Sequence, residues 1–330
     1  MESTIKQTSS RDFASTLANF RELVVLFLTI ILVIAVSIRQ PVFLTADNIN
    51  DILLSIAVTV IVAVGQMMAI VIRGIDLSVS STVGLVAMAV GLTIRDTTNF
   101  PMGIAVLMGI GLGILLGSVN ALLIAKGKVP PIICTLGTMS IYRGLMPVLS
   151  NGEWVNSYQV PKSFLAITRF PIFGIPALVI YAALVAIIFY FFLKYTRIGR
   201  EIFAFGSNPS ASIVAGIPVD RVKMTVFILS GMLAGFGGVL WASRYGSVTN
   251  DTAIGFELST VAACVIGGVN VYGGSGTVSG VVLGALFLGI VTNVLTISGI
   301  PPFWRLTVQG LVILLAVIVD AEINRRLKKS

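Results

Sequence analysis

The sequence contains no histidine. That single absence removes serine–histidine and cysteine–histidine nucleophilic pairs, histidine proton relays and histidine metal sites. Cysteine is nearly as scarce. Cys134 and Cys264 are the only two, 130 residues apart and each inside an apolar run, where a buried free thiol is the ordinary reading rather than a disulfide or a metal pair. Neither fixes a redox compartment. Charged residues make up 11% of the chain, against roughly 25% in a soluble domain. A G-x-x-x-x-G-K-[ST] loop is also missing, so the chain carries no nucleotide engine of this kind. These gaps leave no basis for expecting an enzyme, a cofactor or a metal.

What remains is apolar: 56% hydrophobic residues over 330, with a mean hydropathy of +1.00. The composition predicts an all-α membrane protein with the lipid bilayer as its solvent. The net charge of +8 is scattered in short clusters between apolar runs, the pattern of cytoplasmic loops rather than of a nucleic-acid surface. Nucleic acid is therefore not an expected partner.

Breaks at charges, glycines and prolines delimit about ten transmembrane helices within residues 23–320, after an N-terminal segment 1–22 and before a basic tail 321–330. The spans are expected at 23–38, 52–72, from 79 to about 94, 101–126, 132–149, 171–193, 224–243, 258–269, 277–297 and 306–319. The first is read as an uncleaved span, since no small-residue cleavage site follows it. The stretch 150–170, with Trp154, Tyr158 and Pro161, reads as an interfacial loop. With the N-terminus inside, fifteen Lys and Arg fall on inner segments and six on outer ones, with Arg143 left within a span. That asymmetry predicts both termini in the cytoplasm and a location in the bacterial cytoplasmic (inner) membrane.

Glycines every four residues mark close helix contacts: Gly109, Gly113 and Gly117; Gly231 and Gly235; Gly276, Gly280 and Gly284. Two short internal matches hint at an inverted repeat. Residues 71–77 resemble 265–271, and Lys128-Val129-Pro130-Pro131 echoes Gly299-Ile300-Pro301-Pro302.

The organising stretch is the polar island 194–223, KYTRIGREIFAFGSNPSASIVAGIPVDRVK. Asn208 suits an N-cap and Pro209 the first helical position; Gly216 ends the helix and Pro218 forbids its return. A helix of about two turns is unstable alone in water, so it should pack on something, and another protein is the expected partner. A solvated basic loop is the plainer alternative.

Few ionisable groups lie in the membrane, where an ion-coupled carrier would need several. Arg143 either snorkels to the surface or lines a pore. Asp76 would cap the third span's N-terminus. Arg39, Arg95, Arg244 and Arg305 are candidate contacts for an acidic partner on the outer face.

Four segments then carry a resemblance: RGIDLSVS from Arg73, the island itself, FILSGMLAGFGGVLWASRYGS in the seventh span, and GFELSTVAACVIGGVNVYGGSGTVSG from Gly255. Together, and over about 24–320, they resemble the permeases of ABC importers, specifically the ribose-type carbohydrate branch. The resemblance implies a permease bundle of about ten helices that pairs with a second permease copy or paralogue. It also implies two cytoplasmic ABC ATPase subunits and an extracytoplasmic substrate-binding protein. The family's ATPase-coupling element falls on Gly199, Arg200, Gly206, Asn208, Ala211, Gly216 and Ile217, with Ile213 on the same short helix. Its GGxxxxGGxG element falls on Gly267, Gly268, Gly273, Gly274 and Gly276. Asp76, Arg143 and Asn270 are candidates for the translocation path or a gate. This chain carries Arg73 and Ser80 where the branch usually has glycine. With the Tyr142-Arg143-Gly144 and Gly152-Glu153-Trp154-Val155 segments, it looks like the autoinducer-2 and rhamnose-type permeases. The expected cargo is a sugar or sugar-like neutral solute. The alternatives are a permease for branched-chain amino acids or nucleosides, or an ion-coupled secondary transporter.

Overall fold

The computed structural model describes residues 22–97, 99–301 and scattered positions between 304 and 318. The helices are α1 (Glu22–Arg39), α2 (Ala46–Val71), α3 (Val79–Asp96), α4 (Met102–Ala125), α5 (Pro131–Ser150), α6 (Lys162–Arg169), α7 (Ala177–Tyr195), α8 (Arg197–Ser207), α9 (Pro209–Val214), α10 (Val219–Tyr245), α11 (Phe256–Ile266) and α12 (Val278–Ile297). Among the described residues, eight of them are long and apolar enough to cross a membrane: α1 to α5, α7, α10 and α12. The only sheet there is a two-stranded hairpin, β1 (Pro171–Ile172) with β2 (Ile175–Pro176), at the entry to α7. This is an all-α membrane bundle. Of the expected tenth span, most lies outside the described residues, as do the segment 1–21, the tail and Arg305.

The core forms around α2 and α10. The most apolar window of α2 is 83% buried, so this helix is apolar on every side because it is surrounded by protein. By contrast α7 presents Leu184, Ile187, Ile188 and Phe191 outward, as its Ile/Leu/Phe-rich sequence predicts for a helix facing lipid. The four-residue glycine spacing does its work between α4 and α10. A Cβ on Gly117 would stand 2.6 Å from the Phe227 carbonyl oxygen, and one on Gly235 2.7 Å from the Gly113 Cα. Only glycines permit backbones this close, and the contact is mutual from both helices.

Successive spans alternate in direction, which gathers residues 71–78, 126–130, 195–218 and 267–277 at one end of the bundle, here called the island end. Cross-contacts tie them. Lys128 Nζ lies 2.5 Å and Lys126 Nζ 3.5 Å from the Asp220 carboxylate, and the Gly274 N–H donates to the Val71 carbonyl at 2.9 Å. At the far end Asn48 and Asn293 exchange side-chain hydrogen bonds of 2.7 and 3.2 Å. The two internal matches therefore diverge. Residues 71–77 and 265–271 share the island end, whereas the proline turns after α4 and α12 sit at opposite ends.

Two expectations need correction. The eighth span is not a helix over 258–269. The helix α11 has 11 residues, about 16 Å at 1.5 Å per residue, which is half of a hydrocarbon core of about 30 Å. The rest of the crossing is made by the irregular stretch 246–255, in which Val248, Thr252 and Ala253 are buried and Val248 bridges Val155. Irregular backbone at membrane depth is tolerable where protein covers it. Residues 72–78 are drawn into the bundle, because Asp76 reaches Ser230, eleven residues into α10. The interfacial loop 150–170 is also partly helical. It holds α6, whose Phe164 and Thr168 are buried and whose Thr168 hydroxyl meets that of Ser243 at 2.9 Å.

Candidate functional site

The island folds as two helices rather than one. Thr196 ends α7 and starts α8, its hydroxyl accepting from the Gly199 N–H at 3.0 Å. Along α8, Gly199, Ile202, Phe205 and Gly206 are buried at helical spacing, while Arg197 and Arg200 face out. Gly199 is needed because a Cβ there would lie 2.6 Å from the Phe192 carbonyl oxygen at the end of α7. The motif singles out Gly199, Arg200 and Gly206 but neither Ile202 nor Phe205, nor the helix that carries them, although the period of apolar residues is there to read.

The short helix α9 forms as its punctuation predicts. The Asn208 side chain accepts from the Ala211 N–H at 3.0 Å, Pro209 takes the first position, and Gly216 has φ +75°. The Ile217 N–H closes the end on the Ser212 carbonyl at 3.0 Å. Of this helix Ser212 alone is buried. Ile213 is 64% and Val214 89% exposed, an aliphatic pair on a polar loop with no described residue covering it. Ala211 is exposed as well. Ile217 is half-buried against the core, so the exposed partner of Ile213 is Val214, which the motif did not single out.

The C-terminal end of α8 is clamped. Arg73 takes the left-handed conformation at φ +64°, and its guanidinium donates to the Gly206 carbonyl at 2.7 Å and the Ser207 carbonyl at 2.8 Å. Those carbonyls belong to the last turn, where a cation is favoured. A Cβ on Gly206 would stand 2.7 Å from the Gly274 N, so α8, the end of α2 and the glycine loop meet with no side chain between them. Asn270 shapes that loop, its side chain accepting from the Tyr272 N–H at 2.9 Å. It is a turn-former, and it stands apart from both Asp76 and Arg143.

Asp76 is 1% exposed. Its carboxylate accepts from the Ser78 N–H (3.1 Å), the Ser78 hydroxyl (2.6 Å) and the Ser230 hydroxyl (2.8 Å). The Asn120 amide donates to the Ser78 hydroxyl at 2.8 Å, and the Thr138 hydroxyl donates to Asn120 at 2.7 Å. In the orientation that satisfies both groups, the Gln66 amide donates to the Asp76 carbonyl at 2.8 Å and accepts from its N–H at 3.2 Å. Asp76 therefore accepts from Ser78, the residue before α3, rather than from an N–H of that helix's first turn as a cap would, and it ties α2, α4, α5 and α10 together. Replacing it by alanine would leave several buried donors unmet, at about 1–3 kcal/mol each. Asp76→Ala is thus expected to lower the thermal midpoint of the purified protein markedly, as a detergent melting curve would show.

Arg143 points inward. It donates to the Ser80 hydroxyl at 3.2 Å and faces the Glu257 carboxylate at 4.0 Å, so it does not snorkel. Glu257 opens α11 and was not foreseen, because its partner is 114 residues away and its neighbours are apolar. Of the outer arginines, Arg95 is engaged by Asp96 at 2.7 Å and Glu153 at 2.9 Å. Arg244 donates to the Leu54 carbonyl at 2.9 Å and lies over the Tyr245 ring. Arg39 is exposed.

Comparison with known proteins places this geometry. Residues 48–317 match the family described as branched-chain amino acid transport system / permease component. The autoinducer 2 import system permease protein LsrC of Enterobacter sp. (strain 638) is 34% identical over 95% of this chain and 90% of its own length. The L-arabinose ABC transporter permease protein AraH of Azospirillum brasilense is 36% identical over 92% of this chain and 88% of its own. LsrC of Salmonella typhimurium is 31% identical over 94% and 89%. No solved structure matches.

Proposed function

Because the chain belongs to this permease family, and within it to the ribose-type sugar permeases of ABC importers, we propose that it forms the translocation path for a sugar or sugar-like neutral solute. The cargo would be delivered by a binding protein and its passage driven by ATPase subunits. The observation that carries this reading is the exposed Ile213–Val214 pair on a capped helix whose root is clamped to the bundle. An aliphatic pair at the centre of a polar surface is what a partner's groove takes up. The coupling surface comprises Gly199, Arg200, Gly206, Asn208, Ala211, Ile213, Gly216 and Ile217, extended here by Val214, Arg73 and Gly274. Glycines and Asn208 shape it; Ile213 and Val214 touch the ATPase.

Mechanically, closure of the ATPases pushes α9. The push passes through α8 to α7, which feeds it, and to α2 and the glycine loop, which are held to it by Arg73. The path opens between two permease copies, with Arg143 along it. This arrangement has the island and both termini in the cytoplasm of a bacterial inner membrane. Among the described candidates Arg39 is then the outer cation left to meet a binding protein, since Arg95 and Arg244 already have partners.

The full-length relatives named for autoinducer-2 and L-arabinose favour a polyhydroxylated cargo over an amino acid. Uptake by cells with and without the chain tests this, using L-arabinose, D-ribose, L-rhamnose, autoinducer-2 and leucine. The expected result is chain-dependent uptake of one of the first four that survives collapse of the proton and sodium gradients. Uptake of leucine alone, or uptake that follows an ion gradient, would overturn the reading.

A further inference from the structure

Arg143 and Glu257 form the one ion pair among the described residues that sits inside the bundle away from both ends. Arg143 lies seven residues before the last residue of α5. Glu257 lies in the first turn of α11, the half-length helix that begins at depth after the irregular crossing. The pair is not closed. Their nearest atoms are 4.0 Å apart, with side-chain exposures of 27% and 14%. The Glu257 Oε2 is buried without a hydrogen-bond partner. The guanidinium has five N–H donors, and Ser80 takes one of them. Charged groups inside a membrane are costly and are kept for paths and relays. A tight structural pair would satisfy both partners, whereas this one leaves donors on one side and an acceptor on the other.

We propose that Arg143, Glu257 and Ser80 form a polar constriction on the translocation path that passes neutral solutes by hydrogen-bonding their hydroxyl groups. A hydroxyl both donates and accepts. One on the solute donates to the Glu257 Oε2 while a neighbouring one accepts from Arg143. The site carries one positive and one negative charge, so a neutral polyol meets both without residual charge, and a lone anion or cation meets repulsion from one of them. Ser80 belongs to the constriction through its own hydroxyl, at a position where related permeases usually carry glycine. This inference deepens the permease reading and rests on it.

The test uses Glu257→Cys and, separately, Arg143→Cys in the complete transporter with its ATPase and binding protein, probed with a small cationic methanethiosulfonate. Cys134 and Cys264 are both buried and set the background. Association with the ATPase reports that each variant is folded. At least one of the two introduced thiols is expected to label at least tenfold faster than the background thiols while ATP is turning over. L-Arabinose, D-ribose, L-rhamnose or autoinducer-2 at saturating concentration is expected to slow that labelling several-fold. Labelling no faster than background in both folded variants would overturn the site, and protection by leucine alone, or by none of the five, would overturn the hydroxyl chemistry. Fast, sugar-protected labelling that needs an ion gradient and not ATP would keep the constriction and discard the ATP-driven reading instead.

Discussion

A permease carrying Ile213→Asp together with Val214→Asp is expected to reach the membrane folded and to lose its ATPase. The two side chains are the exposed aliphatic crest of α9 and make no contact that the bundle needs. Burying either carboxylate in an apolar groove carries a desolvation penalty with no cation to offset it. Central apolar anchors of an interface contribute about 2 kcal/mol or more each, and together that is a fall in affinity of about a thousandfold. Pull-down of the ATPase with the permease, beside a detergent melting curve of the permease alone, reads both halves. The expected outcome is an empty pull-down with an unchanged melting curve. Retained ATPase would remove α9 from the coupling surface. Ile217 is unsuited to this experiment because it packs on the core, and an aspartate there would confound binding with stability.

The second large effect is expected at Gly113→Val. Gly113 faces Gly231 and Gly235 across the α4–α10 contact, and a Cβ would lie 2.7 Å from the Gly235 Cα. Backbone cannot give way as a side-chain end can, so α4 and α10 must separate. Against a total stability of about 5–15 kcal/mol, forced separation of one of the bundle's most intimate contacts should prevent stable folding. The accumulated protein is expected to drop at least tenfold on an immunoblot of membranes. Gly111→Val is the control, since nothing lies within 4 Å of a Cβ there. If both variants accumulate equally, the glycine spacing is not a packing face.

Much of this architecture is legible locally. Apolar runs of span length need no knowledge of partners, and α3, α4, α5 and α12 stand close to where their hydropathy puts them, whereas α2 begins six residues earlier than its charge-free run. The Asn208-Pro209 start and the Gly216 end of α9 are backbone demands that particular residues meet. What could not be read depends on residues distant in sequence. Arg73 reaches carbonyls 133 and 134 residues away, and a cation after an apolar run looks the same whether it is solvated or clamped. Glu257 stands among apolar neighbours just before the expected eighth span, and only the fold brings Arg143 opposite it. The descent of 246–255 lacks helical pattern, and its place in the membrane comes from being covered by other spans. Arg73 and Ser80, which depart from the branch's usual glycines, are both engaged: Arg73 holds α8, and Ser80 holds Arg143.

The central claim, that α9 is the surface on which an ATPase drives this permease, is tested most directly by cross-linking from Val214→Cys in native membranes, with a short thiol-reactive bifunctional reagent and identification of the adduct. Cys134 and Cys264 are buried, and Tyr158→Cys, at a position 83% exposed near the far end, supplies the opposite face. The account predicts an adduct between Val214→Cys and an ATP-hydrolysing subunit, and none with that subunit from Tyr158→Cys. An ATPase adduct from Tyr158→Cys alone, or no adduct from Val214→Cys while the ATPase still co-purifies, would contradict it.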